Sequence, residues 1–163
     1  QRVAATDDPG GGEEHVAGAA EAIRRAARLL SGAARPLIIA GGGIKNNRAH
    51  AVALALAERL QSPIACSPGH GDAIPCEHPL YAGPVGPRGN RVASRLALEA
   101  DVILAIGTRL QDFTTGSWTA FSRDARFISI NAARFDALKH RALAVVGVDQ
   151  AVLPSRRKGV SSA

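Results

Sequence analysis

The residues whose types and spacing could do chemistry begin with two glycine-containing turns. Gly41-Gly42-Gly43 directly follow the apolar run Pro36-Leu37-Ile38-Ile39-Ala40, and Gly107-Thr108-Arg109 follow Asp101-Val102-Ile103-Leu104-Ala105-Ile106. Glycines after a strand let the backbone approach a pyrophosphate, and the N-terminus of the next helix favours its charge. The pattern is incomplete as a dinucleotide fingerprint. Gly41-Gly42-Gly43-Ile44-Lys45-Asn46 lacks the third glycine of G-x-G-x-x-G, and no acidic residue ends the second strand to hold a ribose. A tight strand-to-helix turn calls for the same glycines, and both readings stay open.

A second group is Ser67, His70 and Asp72 near Cys66, the residue types of a nucleophile with its base and orienter. Proximity in sequence does not supply that geometry, and local turn hydrogen bonds are the simpler role. His15, His50, His78 and His140 fall on different elements without metal-ligand spacing, so they read as surface or capping residues. Cys66 and Cys76 are too far apart for a C-x-x-C site and read as reduced thiols. No residue is therefore assigned as catalytic or as a metal ligand. Trp118 and Phe121, after the turn Thr114-Thr115-Gly116-Ser117, are expected in core packing or against a neighbouring domain.

The elements that must position these loops alternate regularly. Val16, Ala19, Ala20, Ile23, Ala26, Ala27 and Leu30 recur at helical spacing, which predicts a helix over 15–30 stopped by Ser31-Gly32. Strands are expected at 36–40, 63–66, 101–106, 126–130 and 143–146, with helices at about 47–60 and 90–99. Strand and helix in alternation mean right-handed crossovers, hence an α/β, Rossmann-like parallel sheet of five or six strands with helices on both faces. In such a sheet ligands bind outside the carboxyl ends of the strands, at the loops carrying Gly41–Gly43, Ser67–Gly71, Gly107–Arg109 and Asn131. Residues 67–89, rich in Pro, Gly and His, are long for a loop, and such a loop usually has a job. Residues 1–14 read as a linker and 148–163 as a disordered tail, leaving 15–147 as the domain.

Composition bounds the answer. At 163 residues there is room for one domain, and with aromatics at 4% the core must be built from Ala, Val, Leu and Ile. The net charge of +6 is spread along helices and the Arg156-Arg157-Lys158 tail, with no basic stripe interleaved with aromatics, so no nucleic-acid partner is expected. No apolar run is long enough for a bilayer, so no membrane partner and a cytoplasmic location are expected. The chain lacks Met and begins at Gln1, and the expectation is a piece of a longer protein.

Several stretches taken together resemble a known family. Arg35 to Gly43, then Ser67-Pro68-Gly69-His70-Gly71-Asp72-Ala73-Ile74-Pro75 with His78-Pro79, then Gly83 to Asn90, look like the central domain of thiamine-diphosphate-dependent enzymes. The family pattern there is G-K-G-x-x-P and H-P-x-x-x-G; His70 and Asp72 flank a glycine where the family commonly has lysine and a small residue. The long motif Asp101 to Ser117, with Ile130-Asn131, Arg134-Phe135-Asp136-Ala137, Lys139 and Val145-Val146-Gly147, is most similar to trihydroxycyclohexane-1,2-dione hydrolase of myo-inositol catabolism.

The resemblance implies a non-catalytic spacer whose parent uses thiamine diphosphate and magnesium, bound by flanking catalytic domains, in a homo-oligomer. The G-D-G…N-N motif that holds the diphosphate in such enzymes has no counterpart, since Gly71-Asp72 is followed by Ala73 and Asn46-Asn47 lies upstream. In some relatives this domain binds FAD or ADP; here the contacts would be Gly41, Gly42, Gly43, Gly107, Thr108, Arg109 and Asn131, with Arg109 facing phosphate. The alternatives are a stand-alone nucleotide-binding or NAD-dependent sirtuin-type domain, and a ligand-free interaction module. The sirtuin-type zinc cysteines and catalytic histidine motif are missing.

Overall fold

The computed structural model describes residues 11–147, with side chains from Ala19 onward. Its first element is helix α1 (Gly11–Ser31), followed by strand β1 (Pro36–Ala40), a short helix α2 (Gly42–Asn46) and helix α3 (His50–Leu60). Then come β2 (Ile64–Cys66), β3 (Tyr81–Pro84), α4 (Arg91–Glu99), β4 (Val102–Ile106), α5 (Asp112–Thr115), β5 (Arg126–Asn131), α6 (Arg134–Ala137) and β6 (Leu143–Val146). All six strands are parallel, in the order β3-β2-β1-β4-β5-β6. The chain leaves β1 in one direction and returns to β4 on its other side, which makes the β1–β4 boundary the topological switch point.

The sheet is buried on both sides. On one face Ile38, Ile64, Leu104 and Ile128 pack under α1, α2 and α3, which contribute Ala26, Ile44, Ala53 and Ala57. On the other, Leu37, Ile39, Ile103 and Phe127 meet Ala93 and Ala97 of α4. Alanines line the helix sides of both layers, so the helices lie close to the sheet and few aromatics are needed to fill the space. The aromatics that are present gather in one place: Trp118 stacks on His140 at 4.1 Å and meets Phe127 edge-on at 5.8 Å, and Phe121 is buried beside them.

Three details differ from the sequence reading. Helix α1 begins at Gly11, so residues 11–14 of the expected linker are helical, while the rest of that linker and the expected tail at 148–163 lie outside the described residues. The helix expected from about Asn47 opens at His50 as α3, after Arg48 takes φ 53°, and a short helix that was not expected, α2, precedes it and closes at Asn46. The stretch 67–89 hides a strand. β3 pairs with β2 across a register shift and contains Gly83 at φ 90°, so no alternation or apolar run announces it.

The carboxylate of Asp101 ties the starts of β1 and β4 together, accepting from Ala34 N–H at 2.7 Å and Arg35 N–H at 2.9 Å. Its partial burial would raise its pKa, but these N–H bonds outweigh that and hold the carboxyl below its ordinary value. A depressed folded-state pKa gives stability that is present above the unfolded value, about 4, and is lost as pH falls through the lower folded value. Acid unfolding of Asp101→Asn should therefore be less steep below about pH 4 than that of the wild-type chain, at a cost of about 1 kcal/mol near neutrality. Parallel acid titrations followed by circular dichroism check both.

A glycine-locked cleft at the switch point

The turns after β1 and β4 meet at the carboxyl edge of the sheet. Gly41 N–H donates to Ile106 O at 2.9 Å and Gly43 N–H donates to Gly107 O at 2.9 Å. A Cβ on Gly41 would sit 2.6 Å from Thr108 Cα, and one on Gly43 would sit 2.6 Å from Gly107 Cα. Gly107 itself is at φ 60°, and its Cβ would meet Gly43 Cα at 2.7 Å. Two backbones thus touch where no side chain fits, which is why the glycines stand in both turns. Gly42 differs from its neighbours: its missing Cβ faces the His70 ring.

The lock extends sideways. Gly107 N–H donates to Ile130 O at 2.9 Å, and the Asn131 amide donates to Thr108 O at 2.9 Å while its oxygen accepts from Ala133 N–H at 3.1 Å. Lys139 donates to the Arg109 carbonyl at 2.6 Å and pairs with Asp136 at 2.7 Å. From β2, Ser67 N–H donates to Ala40 O at 2.9 Å, and Ser67 Oγ lies 3.1 Å from His70 Nδ1.

Above this floor lies a cleft of about 530 Å³. Of the residues expected there, Gly42, Gly43, Gly107, Thr108 and Arg109 line it, whereas Gly41 and Asn131 sit behind it and hold the turns. His70 and Ser67 join the lining, in a turn rather than in any triad, since the His70 ring nitrogen distant from Ser67 faces Gly42. Asn46, Gln111 and Phe113 complete the wall and were not singled out from the sequence. Phe113 is 70% exposed. Its place in α5, a few residues beyond the turn after β4, carries no local signal that it faces the cleft.

Asp72, on the short 3-10 helix Gly71–Ala73, is ion-paired with Lys45, which holds its carboxyl below the usual range. Among the described residues no group of three His, Cys, Asp or Glu side chains is placed to hold a metal ion.

Cys66 lies buried behind the cleft with its Sγ 3.2 Å from the Tyr81 hydroxyl, and burial pushes its thiol up; Cys76 is exposed, with its thiol raised by the neighbouring Glu77. A thiol reagent should then titrate one cysteine per native chain, Cys76, and two after denaturation. Fast labelling of Cys66 in the native state would contradict this burial.

A cleft at the switch point of a doubly wound sheet is shared by many proteins, and the sequence decides among them. Residues 23–155 match the family described as "Thiamine pyrophosphate enzyme, central domain". The chain belongs to that family. It is 39% identical over 151 residues to a sulfoacetaldehyde acetyltransferase of Roseovarius nubinhibens, covering 90% of this chain and 24% of that protein. It is 47% identical over 94 residues to the protein of that name in Rhodobacter capsulatus, covering 58% of this chain and 16% of that protein. A 3D-(3,5/4)-trihydroxycyclohexane-1,2-dione hydrolase of Geobacillus thermodenitrificans is 36% identical over 119 residues, which is 73% of this chain and 18% of that protein. The chain spans about a quarter or less of the length of these relatives. The resemblance to the dione hydrolase is present, and acetyltransferases stand beside it at higher identity. The sirtuin-type alternative does not survive the family match. No helix among the described residues is long and apolar enough to cross a membrane.

Proposed function

We propose that this chain is the non-catalytic central domain of a thiamine-diphosphate-dependent enzyme, a rigid spacer between the parent's catalytic domains. The observation that carries this reading is the use of the glycines. Gly41 directs its N–H to Ile106 O at the end of β4 and Gly43 to Gly107 O in the turn after it, so they stiffen the switch point where a phosphate-binding turn would keep its amides for ligand. In this reading thiamine diphosphate and magnesium belong to flanking domains, and the parent is a cytoplasmic homo-oligomer. Its reaction is hydrolysis of a carbon–carbon bond in a cyclic dione of inositol breakdown, on the strength of the Asp101 to Ser117 motif. Acetyl transfer involving sulfoacetaldehyde is the competing reading, supported by the 39% identity over 90% of the chain. Turnover of one compound and not the other by the full-length protein separates them.

A second reading for the domain rests on the cleft. Arg109 and Phe113 are both exposed at its edge, a guanidinium for phosphate and a ring for a base, so Gly42, Gly107, Thr108 and Arg109 would hold ADP or the adenylate part of FAD. Thermal unfolding with FAD, ADP, NAD and thiamine diphosphate added separately tests both, because a ligand of the folded state raises the midpoint. The spacer reading expects no rise that depends on the cleft, and so none that Arg109→Gln removes. A rise with ADP or FAD that Arg109→Gln removes establishes the nucleotide reading instead. A rise with thiamine diphosphate that Arg109→Gln removes overturns the assignment of that cofactor to other domains.

A further inference from the structure

On the opposite, amino edge of the sheet lies a larger hollow of about 760 Å³, between the end of α1 and the starts of β5 and β6. Its polar lining is entirely cationic or imidazole: Arg123, Arg126, His140 and Arg141, over an apolar floor that includes Phe127 and Leu143. The Glu-paired arginines of this domain, Arg24, Arg28 and Arg95, lie elsewhere. Among the described residues the guanidinium groups of Arg123, Arg126 and Arg141 have no ion pair or side-chain hydrogen bond. Like charges held around one concavity repel one another, and an anion placed among them relieves that repulsion.

The fold fixes the backbone of Arg126 and Arg141 and the ring of His140, while the guanidinium groups themselves are exposed. His140 and Arg141 both take positive φ, 53° and 54°, which turns the chain sharply before β6. This lays the His140 ring flat on Trp118 and edge-on to Phe127 at 5.0 Å, and leaves Arg141 at the hollow. Arg126 is the first residue of β5, fixed by its N–H on Asp101 O at 2.9 Å. Two carbonyls at the end of α1, a helix end that disfavours an anion, accept hydrogen bonds, Arg28 O from Gly32 N–H and Leu30 O from Ala33 N–H, both at 3.2 Å. Asp124, between Arg123 and Ala125 in sequence, lines the adjacent hollow with Arg35, Glu99 and Asp101 instead.

The geometry points to a binding site at this edge for a small organic oligophosphate, separate from the cleft at the switch point and independent of the function proposed for it. Three guanidinium forks supply paired donors matched to phosphate oxygens, and call for a ligand with at least two negative charges. The apolar floor of Phe127 and Leu143 accommodates the organic body.

Inorganic pyrophosphate is the probe, added to the 163-residue chain with thermal unfolding and calorimetry as readouts. At a hundredfold excess over Kd it should raise the midpoint by about 5 °C or more. The rise should vanish in the triple variant Arg123→Gln/Arg126→Gln/Arg141→Gln, whose ligand-free midpoint and circular dichroism stay at wild-type values. It should persist in Arg109→Gln, which alters only the switch-point cleft. A rise that Arg109→Gln removes places the anion in that cleft and overturns this site. So does an equal rise with sodium chloride at matched ionic strength, or no rise at all. If the triple variant is unfolded, the single variant Arg126→Gln serves, with at least a tenfold weaker Kd by calorimetry expected and an unchanged Kd overturning the site.

Discussion

Gly41→Ala and Gly43→Ala should each lower the unfolding free energy by about 2–3 kcal/mol, while Gly42→Ala, between them, costs no more than about 1 kcal/mol. The difference lies in what a methyl group would meet. At Gly41 and Gly43 it strikes the backbone of Gly107 and Thr108, which is held by hydrogen bonds on both sides and cannot retreat without parting β1 from β4. At Gly42 it strikes the His70 ring, which can turn away at the cost of its contact with Ser67. Gly107→Ala adds strain at φ 60° to the same collision and should cost about 3 kcal/mol or more. Urea unfolding of the four variants gives the order directly. Equal effects for all three glycines of the triplet would mean that the close approach of the two turns does not set their identity.

Leu104→Ala should cost about 2–5 kcal/mol, a large share of the 5–15 kcal/mol typical of a whole domain. Leu104 is 1% exposed at the centre of β4, with Ile38 and Ile128 as its neighbours on β1 and β5. Both flanking strands are themselves buried, so the vacated space cannot be filled by collapse from a surface. Val92→Ala, on the solvent side of α4, should change stability by less than about 0.5 kcal/mol and serves as the control. The comparison is made at unchanged denaturant slope, so that only stability differs.

The sequence by itself determined the layers of this protein. Apolar runs as short as 36–40 and 102–106, bounded by turn residues, read as strands covered on both faces, and the 3.6-residue spacing of 16–30 reads as one face of a helix, because burial acts on local pattern. It also determined the family, through motifs whose residue order is specific, and it marked the glycine turns as the place where strand ends meet. What it did not determine is what those glycines face. The Gly43 to Gly107 contact joins residues 64 positions apart, and nothing local to either turn records the other. The same holds for β3, a short edge strand defined by its pairing with β2 rather than by its own residues. Asn131 was legible as a strand-end residue, yet only the register of β5 against β4 turns its amide onto Thr108 and away from the cleft. The basic hollow at the amino edge is the extreme case: Arg123, Arg126 and Arg141 are unremarkable in sequence, and the parallel order of β5 and β6 alone brings them around one space.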